Sequence, residues 1–343
     1  MVEYIVVGSG PAGIATIGAL LNKQLERNQI LWIDPFFTNG NLNNYKSIPA
    51  NTKNKLLTRF LYSSTYFYYS DIKNRIIEYN PPEKTPLMAD LLHDLHYVTL
   101  NLMKQVTCYH DYVDKINYNT NTMQWDIVTH SNTFISNNVI LATGAIPKTL
   151  DLKCTSISDQ YILNQPIDIP SIIDSSFCVI GNSHTAILVL KKLYDVDIKN
   201  IKCLYRSPII HAVDMGDWIQ NCNTGLKGIA SEFAKTLPST HIKMVKVNNI
   251  EEIQDEINDY DYVVQCIGYT NHNSVNLYKD GICHTYDGYN TNTGVINGFE
   301  NCNLWGVGIG FPEQVVTRDN TREFNIGLDV WMNYIKRILD IEK

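Results

Sequence analysis

The first thing the chain lacks is any Cys-x-x-Cys pair. Its eight cysteines (Cys108, Cys154, Cys178, Cys203, Cys222, Cys266, Cys283 and Cys302) are scattered. That spacing argues against a zinc ribbon and against a redox-active dithiol. Cys178, Cys203 and Cys266 stand inside apolar strand-like runs and read as core residues. No apolar run approaches the roughly twenty residues needed to cross a bilayer. The N-terminus opens directly into a strand-like segment, so a cytosolic location and no membrane partner are the expectation. A net charge of -7 and the lack of a basic block give nucleic acid no surface to bind. No pair of carboxylates and no Ser-His-Asp set has the spacing of a hydrolase, and His93 and His96 have no partners that would make a metal site.

What remains is a chain of 343 residues, 44% hydrophobic and 18% charged, long enough for two domains that each bury a core. Its organising stretch is the N-terminus. Tyr4 to Val7 reads as a strand, Gly8-Ser9-Gly10-Pro11-Ala12-Gly13 as a tight turn, and Ile14 to Leu21 as a helix. In such a turn Gly8 permits the bend, Gly10 lets backbone approach a pyrophosphate, and Gly13 lets helix and strand pack closely. The free amides at the helix start then bind the anion. A second strand, Gln29 to Ile33, ends in Asp34, twenty-four residues beyond Gly10. A carboxylate there accepts hydrogen bonds from a ribose 2′-hydroxyl and disfavours a 2′-phosphate, so FAD or NAD fits this first site.

A long polar loop follows Asp34, containing Thr38-Asn39-Gly40 and Ala50-Asn51-Thr52-Lys53, and loops of that length in compact α/β domains are commonly functional. The aromatics between Phe60 and Tyr69 are read as core, with a flavin-facing wall as the alternative. Pro86 to Val106 reads as one helix. Short strands then form a β-meander: Tyr112 to Tyr118, Met123 to Thr129 and Thr133 to Ile135. A separate buried strand, Asn138 to Ala142, runs into Thr143-Gly144. After a linker rich in Ser, Asp, Ile and Pro, a second device appears: strand Phe177 to Ile180, turn Gly181-Asn182-Ser183-His184-Thr185-Ala186, helix Ile187 to Leu193. Its next strand, Ile201 to Tyr205, ends in Arg206-Ser207 instead of an acid, which suits the 2′-phosphate of NADPH. A solvated loop charge is the alternative for Arg206. His184 sits in the second turn, where it could donate to a phosphate. A helix over Ile229 to Leu237 is read as part of the second domain's crossover. The strand Asp261 to Gln265 leads to Gly268, repeating the strand end at Gly144. Leu304 to Phe311, with Gly306, Gly308 and Gly310, precedes a closing helix from Asn325 to Ile341.

These features together resemble the two-dinucleotide-binding-domain flavoproteins of the pyridine nucleotide-disulfide oxidoreductase superfamily, over nearly the whole chain. That group includes thioredoxin-reductase-like enzymes and the flavin-containing and N-hydroxylating monooxygenases. The resemblance implies an α/β fold with two Rossmann-like, three-layer ββα domains. An FAD domain at 1–150 and 273–343 would be interrupted by an NAD(P)H domain at 151–272. It places FAD on the first turn with Thr143, Gly144 and Gly308, and NADPH on the second with Gly268. The loop from Phe37 to Lys53 is similar to the flavin-containing monooxygenase pattern, in which an Asn helps hold the flavin and the nicotinamide. Asn51 is the residue in that place, with a turn-satisfying loop asparagine as the equal alternative. A Phe-Gly-His fingerprint expected between Gln165 and Val179 is missing, the chain is short for that subgroup, and the reductase dithiol is missing too. Three functions stay open: a monooxygenase acting on a small molecule with O2, a reductase serving an external acceptor, and a flavin-binding sensor. Whether the chain forms a homodimer is also open.

Overall fold

The computed structural model describes residues 2–164 and 174–340; linker residues 165–173 and the end of the closing helix at Ile341 lie outside the described residues. A nine-stranded sheet joins the N-terminal half to three strands from further along the chain, Asn276–Lys279, Ile282–His284 and Leu304–Gly306. Its centre is strand Val2–Val7, parallel to Ile30–Ile33 on one side and to Thr133–Leu141 on the other. Tyr4 and Val6 face one core, built with helices Pro11–Asn22, Met88–Met103 and Leu328–Ile338. Ile5 and Val7 face the opposite core, built with Ile116, Trp125, Ile127 and Phe299. A parallel strand covered on both faces has no polar side, which explains the continuous apolar run.

The first helix shows the same logic. From Ala12 through Leu21 every residue is buried, so the helix is apolar all round. Pro11 opens it, where a missing amide costs nothing. Close packing continues at Gly18, where an added Cβ would run into the Phe67 ring. Phe60, Phe67 and Tyr69 are fully buried, so this part of the aromatic cluster is core, while Tyr62 and Tyr68 are exposed.

Three expectations change. Thr133 to Ile135 and Asn138 to Ala142 are one strand, Thr133–Leu141, which pairs antiparallel with Gln124–Thr129 and parallel with Val2–Val7. The polar run Ser136-Asn137-Asn138 suggested a turn, but Glu3 satisfies it: its carbonyl accepts from Ser136 Oγ at 3.2 Å and Asn138 Nδ2 at 2.8 Å, and its carboxylate from Asn137 Nδ2 at 3.0 Å. The single strand thereby ties the meander layer to the parallel layer. Second, a hairpin of Glu313–Val316 and Arg322–Asn325 stands between the terminal glycines and the closing helix, which runs over Leu328–Ile338. Third, a small hairpin of Val213–Asp214 and Ile219–Gln220 precedes the second-domain helix, Gly228–Thr236.

The other sheet is parallel throughout, in the order Lys243–Lys246, Asn200–Tyr205, Ser176–Ile180, Tyr262–Gln265. Helices His184–Asp195 and Gly228–Thr236 pack on one core and Ile250–Ile257 on the other. Cys178, Cys203 and Cys266 are buried in these cores. The two sheets are connected by short strands Ala145–Pro147 and Tyr269–Asn271, which pair antiparallel with each other.

Gly13→Ala is expected to lower stability by about 1–3 kcal/mol, because its Cβ would overlap the Gly8 carbonyl, a backbone group that cannot swing away. Thermal melting of the variant tests this; an unchanged melting temperature would show that helix and turn are not in close contact.

Candidate functional site

The two glycine turns repeat one geometry. Gly8 has φ +106° and Gly181 φ +116°, conformations that side-chain-bearing residues rarely adopt. Gly8 N donates to Ile33 O at 2.8 Å, and Ala142 N donates to Val7 O at 2.8 Å. In the second sheet Gly181 N donates to Leu204 O and Cys266 N to Ile180 O, each also at 2.8 Å. A Cβ on Gly8 would overlap the Ala142 carbonyl, and one on Gly181 the Cys266 carbonyl. Each glycine is thus wedged between neighbouring strand ends. Gly13 meets Gly8 backbone, whereas its counterpart Ala186 fits fully buried.

Gly10 differs from these. A Cβ there would find its nearest neighbour, Asn39 O, at 3.9 Å, so the protein itself does not require a glycine. Gly10 is the N-cap of the first helix, with no side-chain cap and no acidic residue in the first turn. Ser183, exposed, holds the same place on the second helix, again without a cap bond or first-turn acid. Both helix starts therefore keep uncompensated positive ends at the carboxyl edge of a parallel sheet, where anions bind.

Three segments converge on the first helix start. Gly40 lies over Gly10, its Cβ position 3.2 Å from Gly10 Cα. A Cβ on Gly308 would overlap Ala12, and one on Gly310 the Gly144 carbonyl. Asn41 Nδ2 donates to Ala145 O at 3.1 Å. Thr143 is half-buried beside this junction, and Gly144 and Gly268, at φ +77° and +91°, have open space around them. From the sequence, Asn39 and Gly40 are read only as part of the loop that leads to Asn51 and Gly310 only as one of three terminal glycines, while Asn41 has no reading of its own. Asn39 sits buried in the left-handed region at φ 63°, its Nδ2 donating to Leu92 O at 3.3 Å and its Oδ1 accepting from Thr99 Oγ1 at 3.2 Å. The Asn-Gly pair was the available signal.

Asp34 is occupied within the protein. Oδ2 accepts from Ser9 N at 2.8 Å, while Oδ1 accepts from Phe36 N at 2.8 Å and Phe37 N at 2.7 Å. It staples the glycine turn to the following loop and keeps acceptor capacity on Oδ2.

Asn51 is half-buried, accepting from Thr52 Oγ1 at 3.2 Å. Its loop is anchored by Ala50 N donating to Pro86 O and Asn54 N to Lys84 O, both at 2.8 Å. Pro49 brings this loop to the second turn, because its carbonyl is hydrogen-bonded by His184. Burial, reinforced by the Lys227 charge, pushes the His184 imidazole down to about 4, against the opposing pull of the Pro49 carbonyl. His184 is a neutral side chain joining the Asn51 loop to the second helix start, and its Nδ1 is buried without a partner. Arg206 and Ser207 are exposed, and the Ser207 carbonyl accepts from Asn182 Nδ2 at 2.6 Å. Beside them lies a cavity of about 570 Å³ lined by Tyr205, Pro208, Ile209, Met244 and Lys246 among others.

Residues 5–305 match the family model described as pyridine nucleotide-disulphide oxidoreductase. The chain belongs to this family. It is an oxidoreductase, similar over 97% of its length and 96% of the relative's to monooxygenase AgnR1 of Paecilomyces divaricatus, at 29% identity. Among solved structures it superposes on a flavin monooxygenase from Stenotrophomonas maltophilia (TM-score 0.65, 12% identity, 99% of this chain and 98% of that one). It also superposes on bacillithiol disulfide reductase from Staphylococcus aureus (TM-score 0.64, 17% identity, 99% and 97%). A third such structure is the cadaverine monooxygenase of desferrioxamine biosynthesis from Erwinia amylovora (TM-score 0.65, 12% identity, 99% and 94%). These likenesses are of fold. For a family containing disulfide enzymes the state of the thiols matters: all eight cysteines are free. Burial raises Cys108 to about 11 and Cys178 and Cys203 to about 12, away from the thiolate form that disulfide chemistry needs.

Because His184 titrates near 4 in the folded chain, below its ordinary 6.5, the unfolded chain binds the proton first as pH falls. The neutral state is fully favourable above about 6.5, and its contribution is lost as pH falls towards 4. Melting curves of wild type and His184→Asn should therefore converge between those values. A difference that stays constant with pH would show that the imidazole is not held neutral.

Proposed function

We propose that this protein is an FAD-dependent monooxygenase that takes reducing equivalents from NADPH and acts on a small molecule with O2. The observation that carries the proposal is the pair of uncapped glycine-turn helices in one chain that has no cysteine pair to receive electrons. Similarity to a monooxygenase along nearly the full length supports it.

The residues present fit the two nucleotides. The glycine at position 10, which protein packing alone does not demand, suits the approach of a pyrophosphate to the helix start. FAD would be held by Gly8, Gly10, Pro11, Ala12 and Gly13, with Asp34 offering its remaining acceptor capacity to the ribose. Thr143, Gly144 and Gly308 would let backbone approach the flavin end. The buried Ser9 hydroxyl, which lacks a protein partner, belongs to the same turn. NADPH would lie on Gly181, Ser183, His184 and Ala186, with Gly268 at the strand end and Arg206 and Ser207 at the 2′-phosphate. In this reading 1–150 and 273–343 form the FAD unit and 151–272 the NADPH unit.

FAD, when bound, would supply two-electron redox chemistry between NADPH and O2, with one oxygen atom going to the substrate and the other to water. The chain aligns the two nucleotides, keeps the site dry and orients groups around the ring. Asn51 is assigned to the last task through its amide.

The purified protein should be yellow, and anaerobic NADPH should bleach it more readily than NADH. Gly10→Ala should fold with the melting temperature of FAD-stripped wild type yet fail to take up FAD; a variant that retains FAD would remove the pyrophosphate from this turn. Arg206→Ala should narrow the preference for NADPH by about tenfold, on the order of one charge-assisted contact. An unchanged preference would overturn the 2′-phosphate assignment. Asn51→Ala should keep FAD but release more hydrogen peroxide per NADPH oxidised, and unchanged coupling would remove Asn51 from the site. If reduced protein passes electrons to a quinone or protein acceptor and forms no oxygenated product from any amine, thioether or ketone offered, the reductase reading replaces this one.

A further inference from the structure

We propose that Tyr269 and Glu323 are positioning residues that brace the second glycine turn against the first, so that hydride transfer proceeds from this one arrangement of the two sheets; the proposal rests on the functional reading above. Each of the two chain passages between the sheets carries a short strand, Ala145–Pro147 and Tyr269–Asn271, and the two pair with each other. Two polar clusters, far from each other in sequence, add to this connection, beside the contact of His184 with the Asn51 loop and of Ile48 with the second sheet's core.

The first cluster centres on Tyr269. Its hydroxyl donates to Tyr45 Oη at 2.8 Å, Gln160 Nε2 donates to the same oxygen at 3.2 Å, and Tyr45 in turn donates to Asp159 Oδ2 at 3.4 Å. Thr185, in the second glycine turn's helix, has its side chain beside the Tyr269 hydroxyl. Tyr45 belongs to the loop beyond Gly40, and Asp159 and Gln160 to helix Asp159–Asn164, whose Ile162 and Leu163 join the second sheet's core. Asn164 Nδ2 closes the cluster by donating to Asn44 O at 2.6 Å.

The second cluster centres on Glu323, in the hairpin after the terminal glycines. It is only 3% exposed. Oε1 accepts from Thr224 Oγ1 at 2.8 Å, and Oε2 accepts from Asn223 N at 3.2 Å and Nδ2 at 3.3 Å. Gln220 Nε2 donates to Asp319 Oδ2 at 2.8 Å, and Arg318 pairs with Asp217 on the same face. A buried carboxylate is costly to maintain unless several donors meet it. Here the donors come from residues 223 and 224, the segment leading into helix Gly228–Thr236 that packs on the second sheet. Such a carboxylate fixes geometry more than it adds stability. Hydride transfer is sensitive to that geometry: a displacement of about 1 Å by a change remote from the chemistry can cost on the order of a hundredfold in rate.

The test uses the FAD-loaded protein and the variants Tyr269→Phe and Glu323→Gln, with Thr120→Val as a control that removes a hydrogen bond to Asp280 at the surface. Stopped-flow bleaching by NADPH under anaerobic conditions separates the dissociation constant from the rate at saturation, and amide hydrogen exchange reports on residues 184–190 and 223–230. Expected are an FAD content equal to wild type, an NADPH dissociation constant within about threefold, a saturating bleaching rate lower by about tenfold or more, and faster exchange in those two segments. A bleaching rate equal to wild type in both variants overturns the proposal, as does a rate loss that merely follows lost FAD. If wild type itself is not bleached by NADPH, the functional reading fails; the exchange measurement still decides the brace, and unchanged protection in both variants overturns it.

Discussion

The constraint on which everything else depends is the contact between Gly13 and the backbone of Gly8, with Gly8 itself pressed against Ala142. Three elements, the central strand, its helix and the strand returning from the meander, meet where no Cβ can be accommodated. That contact sets the first helix close to the carboxyl end of the sheet. The helix start is then uncapped, with Gly10 and Pro11 half-buried beside Gly40. The second sheet obtains the same placement with a looser version. Gly181 is wedged as tightly against Cys266, but Ala186 takes the place of Gly13, so that helix can stand slightly further from its strand.

The two turns diverge most at the end of the next strand. Asp34 is drawn inward by three backbone amides and gives the first turn a fixed negative wall. Arg206 projects into solvent, held only through its neighbour Ser207 and Asn182. In the proposed reading one framework would exclude an added phosphate while the other would present a cation to one. That exchange of an acid for a base at equivalent places would be enough to give two chemically similar nucleotides separate homes in one chain.

Much of this was legible in the sequence, because it is local. Both glycine turns, the strands before them, the strand ends at Gly144 and Gly268, and the helix around Leu91 to Leu102 all follow from spacing and apolar period. What escaped had its cause at a distance. Ser136 to Asn138 looks like a turn until Glu3, more than a hundred residues earlier, is seen to satisfy it. Val315 and Phe324 lie in a hairpin whose purpose is evident only beside Asn223 and Thr224. Asp34 was legible as an acid but not as a staple, since its partners are backbone amides that carry no sequence signal. Asn39 was readable in principle from the Asn-Gly pair, though the importance of that turn depends on its lying over Gly10.

The thiols bear on how electrons leave such a protein. In a family that includes disulfide enzymes, the sulfur-bearing route needs two cysteines within reach of each other and a low thiol pKa. Here Cys178 and Cys203 lie on adjacent strands of the second sheet but face opposite cores, and burial holds both in the protonated form. They act as small apolar packing groups there. With that exit closed, electrons delivered to a flavin can depart only to a molecule that reaches the flavin itself. A protein with this restriction gains from holding its two nucleotide sites in a steady relation, because the nicotinamide has one acceptor to meet and no internal dithiol to make way for. The short paired linkers and the polar contacts at Tyr269 and Glu323 are consistent with that economy of motion.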